Sequence, residues 1–295
     1  MRDAELAAEV AGAFRTRLSP WRLASSIGDE YDLSRATRGD RFGQRPSAAP
    51  APIPVKIEPP AAQFENLPEA WQEPVRRLAA RVRECLGAEA LGLVVHGAAL
   101  DRIDAAARLR SVLVLRQVNL AALRLLAADG PRFARLGLAA PVVLTPESIE
   151  RSRDTFPLEL LDIARRRVVA LGQDFFAGLQ FEREHVRLAC ERELKVILLA
   201  MSQGLLSSAA LDARLGELSH EMTLSLARVL CGLLWLADRP APPRVFALVS
   251  EVERVAGFPL PGVLRALDRS EDAGWNTFLQ LYADLEALGQ FADGL

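Results

Sequence analysis

Two arginines and a glycine between Leu91 and Leu115 are the residues of this chain best suited to chemistry. Arg108 and Arg110 are two residues apart at the start of an apolar run, and this spacing puts both guanidinium groups on one face of a strand. Gly97 closes the preceding apolar run, where a tight turn brings backbone amides close to a ligand. Guanidinium groups and backbone amides are the groups that can bind a phosphate directly, without a metal ion.

Two aspartates in the same stretch indicate a different chemistry. Asp101 and Asp104 are three residues apart in a predicted short helix over residues 98–107, so both carboxylates lie on a common helix face. With a third carboxylate they would suit a divalent ion such as Mg²⁺. The alternative is a solvated helix face, on which Asp104 forms an i,i+4 ion pair with Arg108. The residues alone leave both interpretations open.

The elements that position these residues alternate between short apolar runs and amphipathic segments. This alternation predicts an α+β unit over residues 64–180, with a β-sheet and flanking helices. Thr145 and Pro146 are typical of a helix N-cap and a first helical residue. The predicted strands cover residues 91–95, 109–115, 141–144, 158–163 and 168–171, and two further predicted helices cover residues 71–86 and 120–128.

The rest of the chain divides into a helical C-terminal unit and an N-terminal extension. Helical periodicity over residues 181–295 predicts an all-α bundle, with helices at 182–206, 209–237, 244–256, 262–268 and 275–292. Residues 1–45 contain an amphipathic segment at 4–18, and residues 46–63 form a linker rich in proline and alanine. An amphipathic helix joined to the rest of the chain by such a linker is typical of a segment that docks to a protein partner. The alternative is that these N-terminal residues are a leader without a specific role.

Composition narrows the classes of protein to consider. The formal net charge of −2 argues against a general nucleic-acid binder, which would carry a basic excess. No apolar run approaches the roughly 20 residues that a membrane-spanning helix needs, so no membrane partner is expected. Cys85, Cys190 and Cys231 lie in apolar helical patterns and predict free buried thiols. We therefore expect a cytoplasmic protein.

Two runs of the sequence resemble a group of bacterial nucleotidyltransferase-domain proteins. They are VVHGAALDRIDAAARLRSVLVLRQVN, at residues 94–119, and residues 144–206, which begin LTPESIERSRDTFPLELLDI. The resemblance implies a small mixed β-sheet domain that leads into a C-terminal helical bundle. In active members a Gly-Ser turn holds the phosphates, and three carboxylates hold the metal ions that promote nucleotidyl transfer.

Carried onto this chain, the resemblance assigns the turn to Gly97 and Ala98. Ala98 keeps the backbone amide but lacks the serine hydroxyl of the family. The third carboxylate, which in the family comes from a strand beside the first two, best matches Asp162, with Glu159 as the weaker match. One surviving carboxylate cannot hold a pair of metal ions by itself, which makes Asp162 a remnant of a catalytic site.

The other two carboxylate positions fall on the second strand, and neither contains an acid. One register places them at Arg108 and Arg110, and a shift by one residue places them at Leu109 and Ser111. The two arginines could bind a phosphate directly beside the glycine turn. They could instead pair with Asp162 and its neighbouring glutamate, and so close the old pocket with internal ion pairs. We favour the second interpretation.

The sequence thus predicts a catalytically degenerate nucleotidyltransferase-like protein that acts as a binding, regulatory or scaffold module. Its partners would be a protein, bound through the N-terminal segment, and a nucleotide or phosphate held without a cofactor. The alternative is an active nucleotidyltransferase whose carboxylates have moved to Asp101, Asp104 and Asp162, with Mg²⁺ as cofactor. A structural subunit of a larger assembly is a third hypothesis, and exposed apolar residues on the outer face of the bundle would be its signal.

Overall fold

The computed structural model describes residues 64–97, 100, 108–209, 211–268 and 274–295. The predicted N-terminal helix, the linker and the short helix over residues 98–107 lie outside these residues, apart from Leu100. In chain order the elements are α1 (Glu69–Leu86), β1 (Ala90–His96), β2 (Arg110–Leu115), α2 (Leu120–Ala127), α3 (Gly130–Arg135), β3 (Val142–Leu144), α4 (Pro146–Arg151), α5 (Pro157–Arg165), β4 (Arg167–Gly172), α6 (Arg183–Ser207), α7 (Asp212–Leu236), α8 (Val245–Ala256), α9 (Pro261–Asp268) and α10 (Trp275–Asp293).

The four strands form one mixed sheet in the order β3-β2-β1-β4. Strand β1 is antiparallel to both of its neighbours, whereas β2 and β3 run parallel. His96 at the end of β1 is paired with Arg110 on one side and with Arg167 on the other. The predicted α+β architecture, a mixed sheet with flanking helices followed by a helical region, is confirmed.

Both faces of the sheet are covered, which explains why its central strands are continuous apolar runs rather than alternating ones. Leu93 and Leu113 belong to the core between the sheet and α1. Val94 and Val112, the next residues along each strand, belong to the opposite core, which α4 and α5 complete. The odd- and even-numbered residues of β2 therefore point to different compartments of the protein.

The prediction of a strand over residues 158–163 is wrong, because this segment lies within helix α5. Pro157 occupies the first turn of the helix, a position that proline tolerates. Leu160 and Ile163 pack against the sheet, whereas Leu158 belongs to the core of the helical bundle. Burial on two sides produces an apolar run that resembles a buried strand, and periodicity alone does not separate the two.

The helices that follow β4 pack around one apolar core, to which α6 to α10 all contribute. Gly232 of α7 allows a close approach at the junction with the sheet unit, since a methyl group there would lie 2.5 Å from Leu158 Cδ2 and 2.7 Å from Cys190 Sγ. Cys190 and Cys231 are buried free thiols, as expected, whereas Cys85 is half-buried. None of the helices in the described ranges combines the length and apolar character needed to span a membrane.

We predict that Gly232→Ala destabilises the protein by about 1–2 kcal/mol. The added methyl group overpacks the junction between α5, α6 and α7, and this cost exceeds the roughly 1 kcal/mol that alanine gains from helix propensity. Gly289→Ala in α10 is the matched control, since a methyl group there meets no atom within 4 Å. Urea unfolding should show Gly289→Ala to be neutral or up to about 1 kcal/mol more stable than the wild type. Equal effects of the two substitutions would contradict the close approach.

Candidate functional site

The glycine turn at the end of β1 is covered by an arginine side chain. Gly97 has a positive φ of 98°, which a glycine adopts without strain. A methyl group at this position would lie 2.7 Å from Nη2 of Arg110, so the guanidinium group rests directly over the turn. The Gly97 amide donates a hydrogen bond to the carbonyl of Arg166 at 3.4 Å. Both the space beside the turn and the amide of Gly97 are therefore occupied by the protein itself.

Arg110 forms an ion pair with Asp162 across the space between the sheet and α5. The distance from Arg110 Nη2 to Asp162 Oδ2 is 3.2 Å, and Arg165 Nη2 approaches the other carboxylate oxygen at 3.9 Å. Asp162 is buried, and about one third of the Arg110 side chain is exposed. The positive charge that balances the Asp162 carboxylate is therefore supplied by arginines of the protein itself.

A second ion pair joins α5 to the helical bundle. Glu159 lies three residues before Asp162 on α5, so that both carboxylates share a face of the helix. Arg228 of α7 donates to Glu159 Oε1 at 3.1 Å. We call the group formed by His96, Arg110, Glu159, Asp162 and Arg228 the ion-pair cluster. It draws on β1, β2, α5 and α7, and it holds two buried carboxylates against two guanidinium groups.

His96 completes the cluster as a buried neutral ring. It is only 5% exposed, and its Nδ1 has no hydrogen-bond partner among the described residues. Burial, reinforced by the positive charge of Arg110, lowers the pKa of His96 to about 3. The five cluster residues line a cavity of about 20 Å³, which has room for roughly one water molecule. No phosphate group fits there without displacing a side chain.

The other predicted site residues lie away from this cluster or outside the described ranges. Arg108 lies before the first residue of β2, so the alternation of side chains along the strand does not place it on the same face as Arg110. It lines a different cavity, together with Leu78 and Leu113. The expectation that both arginines face the turn therefore holds for Arg110 alone. Ser111 is buried, with no hydrogen-bond partner for its Oγ among the described residues.

Ala98, Asp101 and Asp104 lie outside the described residues, so the alternative metal site has no structural account beyond Asp162. Asp162 itself projects from a helix rather than from the neighbouring strand that the resemblance implied. Within the described part of the chain, no three His, Cys, Asp or Glu side chains come close enough together to hold a metal ion.

A larger opening lies on the other side of α5, between this helix and the bundle. We call it the interdomain cleft; its volume is about 410 Å³. Arg165, Arg167 and Arg239 line it together with the aromatic rings of Phe181 and Trp235. Each arginine already has a partner within the protein, respectively the carbonyl of Ala241 and the carboxylates of Asp174 and Glu251. The carboxylate of Asp162 lines it as well, so the cleft combines three guanidinium groups and one carboxylate with aromatic surface.

Two members of the ion-pair cluster were not predicted from the sequence as site residues. Arg228 lies in an otherwise apolar stretch of α7, LARVLCGLLWL, and a single charge on such a face is a signal that a buried partner exists. His96 precedes the Gly97 turn in an apolar run, and this position alone does not identify it as a site residue. The partner of Arg228 is 69 residues away along the chain, which no local spacing reveals.

Comparison with known proteins yields a weak structural likeness only. No protein-family model matches the chain, and no curated protein matches it. A crystal structure of a spectinomycin adenyltransferase from Enterococcus faecialis, with ATP and spectinomycin, is similar over 75% of this chain and 98% of its own length. The sequence identity is 11% and the TM-score is 0.49.

We predict that the ion pair between Arg110 and Asp162 couples the two side chains in stability. Arg110→Met and Asp162→Asn should each cost about 2 kcal/mol, because each removes a charged hydrogen bond from a pair whose carboxylate is buried. The double variant should cost clearly less than the sum of the two. Urea unfolding measures all three, with Arg77→Met, at an exposed i,i+4 pair with Glu73, as a control within about 0.5 kcal/mol of the wild type. Strict additivity would contradict the pairing.

We also predict a pH dependence that comes from His96. Its pKa is about 3 in the folded protein and 6.5 in an unfolded chain, so only the unfolded state takes up the proton between these values. This contribution to stability is complete above pH 6.5 and falls as the pH falls, by about 2 kcal/mol at pH 5. The free energy of unfolding of His96→Gln should change less than that of the wild type between pH 7 and pH 5. Parallel pH profiles would contradict a neutral buried ring.

Proposed function

We propose that this protein is a catalytically degenerate nucleotidyltransferase-like protein that acts as a binding or regulatory module. The observation that carries the proposal is the guanidinium group of Arg110, which lies over the Gly97 turn and pairs with Asp162. In the family that the sequence resembles, the corresponding space holds phosphates and metal ions. Here a protein cation takes that place.

The charges of the ion-pair cluster work against a metal ion at the same position. Asp162 is paired with Arg110, and Glu159 is paired with Arg228. A divalent cation at this position would have to displace the two guanidinium groups from the carboxylates. Each displaced guanidinium group would then lie close to the positive charge of the metal ion, in a space with little water to screen the repulsion. The small cavity beside the cluster adds a steric barrier to a nucleotide. A nucleotidyl-transfer step at this position therefore lacks both its cofactor and its space.

A ligand of the module would bind in the interdomain cleft. Its volume of about 410 Å³ lies within the range of small-molecule sites. Arg239 is about half exposed, with 46% of its side chain accessible, and can contribute to an anionic ligand while it pairs with Glu251. Trp235 offers an aromatic surface against which a base can stack. We therefore propose a nucleotide or related aromatic phosphate, held without a metal ion.

A protein partner remains part of the proposal, through the N-terminal amphipathic segment at residues 4–18. The described surface of the bundle adds exposed leucines on one side of α6, namely Leu188, Leu199 and Leu206. Arg192 and Lys195 lie between them and are exposed as well. On α6 these charges separate the leucines, so this helix does not present the continuous apolar patch that a subunit of an obligate assembly would present.

The test measures ligand binding and chemistry in parallel. The full-length protein is melted with ATP, GTP, CTP, UTP or pyrophosphate, each with Mg²⁺ or with EDTA, and pyrophosphate release from each triphosphate is followed. We expect at least one triphosphate to raise the melting temperature by several degrees equally in Mg²⁺ and EDTA, without pyrophosphate release. Arg239→Gln and Trp235→Ala should reduce the shift, whereas Arg244→Gln, at an exposed arginine outside the cleft, should leave it unchanged.

Pyrophosphate release that depends on Mg²⁺ and is lost in Asp162→Asn would overturn the proposal. Loss of that activity in Asp101→Asn with Asp104→Asn would then assign the metal ion to the relocated carboxylates. The absence of any shift would reject the nucleotide ligand and leave only the closed site and the protein partner.

A further inference from the structure

A second ligand-sized cavity lies at the edge of the sheet, separate from the interdomain cleft and next to the small cavity of the ion-pair cluster, with which it shares Ala139 and Ala140. Its volume is about 470 Å³, within the range of small-molecule sites. It is bounded by α1, α2 and α3 and by the edge of the sheet at β2 and β3. The elements that enclose it belong to the sheet unit alone.

The walls of this cavity, which we call the edge cavity, are mostly hydrocarbon. Leu78 of α1 and Leu113 of β2 are fully buried at its base. Leu126 and Phe133, from α2 and α3, are also buried and line it. Such walls favour an apolar ligand, since transfer of hydrocarbon from water into an apolar cavity is favourable in proportion to the area buried.

A single ionisable side chain lines the edge cavity among the described residues, and it is Arg108. Arg108 is exposed, so its guanidinium group belongs to the open side of the cavity. It forms no ion pair with another described residue, in contrast to Arg110, two positions along the chain. One guanidinium group matches one carboxylate, with two parallel hydrogen bonds.

We infer that the edge cavity binds a small amphipathic monocarboxylate, with its hydrocarbon body among Leu78, Leu113 and Phe133 and its carboxylate on Arg108. Medium-chain fatty acids and aromatic acids belong to this class. An apolar lining with one well-placed polar group is the usual composition of a ligand site, the polar group fixing the orientation of the ligand. The inference does not depend on the proposed nucleotide site, since neither the cavity nor the chemistry is shared.

The size of the cavity favours a small molecule over an amphipathic helix such as residues 4–18 of this chain. The two short helices at its side, α2 and α3, have 8 and 6 residues, and so are about 12 and 9 Å long. A helix of 15 residues would be about 22 Å long and would extend well beyond them. On the side of α2 and α3 the cavity is therefore a short pocket rather than a groove that a 15-residue helix could follow.

The experiment measures binding of octanoate, decanoate, dodecanoate and decanol to the full-length protein by isothermal titration, below their micellar concentrations. We expect at least one carboxylate to bind, and decanol to bind more weakly than decanoate. Arg108→Gln should weaken carboxylate binding about tenfold and leave decanol unchanged, because only the charged hydrogen bonds are lost. Arg124→Gln is the matched control, an exposed arginine on α2 that does not line the cavity and should not change either affinity.

A steric variant tests the position of the ligand independently of charge. Ala134 lines the cavity from α3, whereas Ala121 of α2 is exposed and does not. Ala134→Trp should reduce the affinity for both ligands at least tenfold, and Ala121→Trp should not. Circular dichroism and melting curves verify that each variant is folded. Absence of binding, equal response of all variants, or displacement of decanoate by a peptide of residues 4–18 would each overturn the inference.

Discussion

Helix α5 is the element on which the rest of this structure depends, because it is buried against two different cores at once. Leu160 and Ile163 complete the core on one face of the sheet, and Leu158 enters the core of the bundle. The close approach at Gly232 allows this second contact. A helix enclosed in this way has little surface left for polar side chains, so those it carries must find partners inside the protein.

Glu159 and Asp162 are these polar side chains, and their partners come from opposite directions. Arg110 belongs to the sheet and Arg228 to the bundle, so the two ion pairs connect the two units through α5. Removal of one partner from such a pair costs more than the pair contributes, because the remaining charge stays desolvated. The same interactions that orient the units therefore also fill the space beside the Gly97 turn. The cover over the Gly97 turn and the contact between sheet and bundle thus both depend on carboxylates of α5.

The two ligand-sized cavities differ in their relation to α5. The interdomain cleft lies where α5 and the bundle meet, and arginines and aromatic rings line it. The edge cavity lies within the sheet unit, where short helices α2 and α3 leave an apolar space beside Arg108. Their linings differ in charge and in polarity, so the ligands proposed for them belong to different chemical classes.

The sequence by itself determined the elements whose signals are local. The buried strands β1 and β2, the Thr145 cap with Pro146 and the helices after Arg183 follow from periodicity and from capping residues, and all are present in the structure. The tertiary structure decided that residues 158–163 form a helix, since burial on two sides removes the polar face that reveals a helix in a sequence. It also decided that Arg110 rather than Arg108 closes the turn, and that Arg228 joins the cluster. The role of Arg110 depends on the residue at which β2 begins, and the role of Arg228 depends on a contact between residues 69 positions apart. Local periodicity in the sequence predicts neither of them.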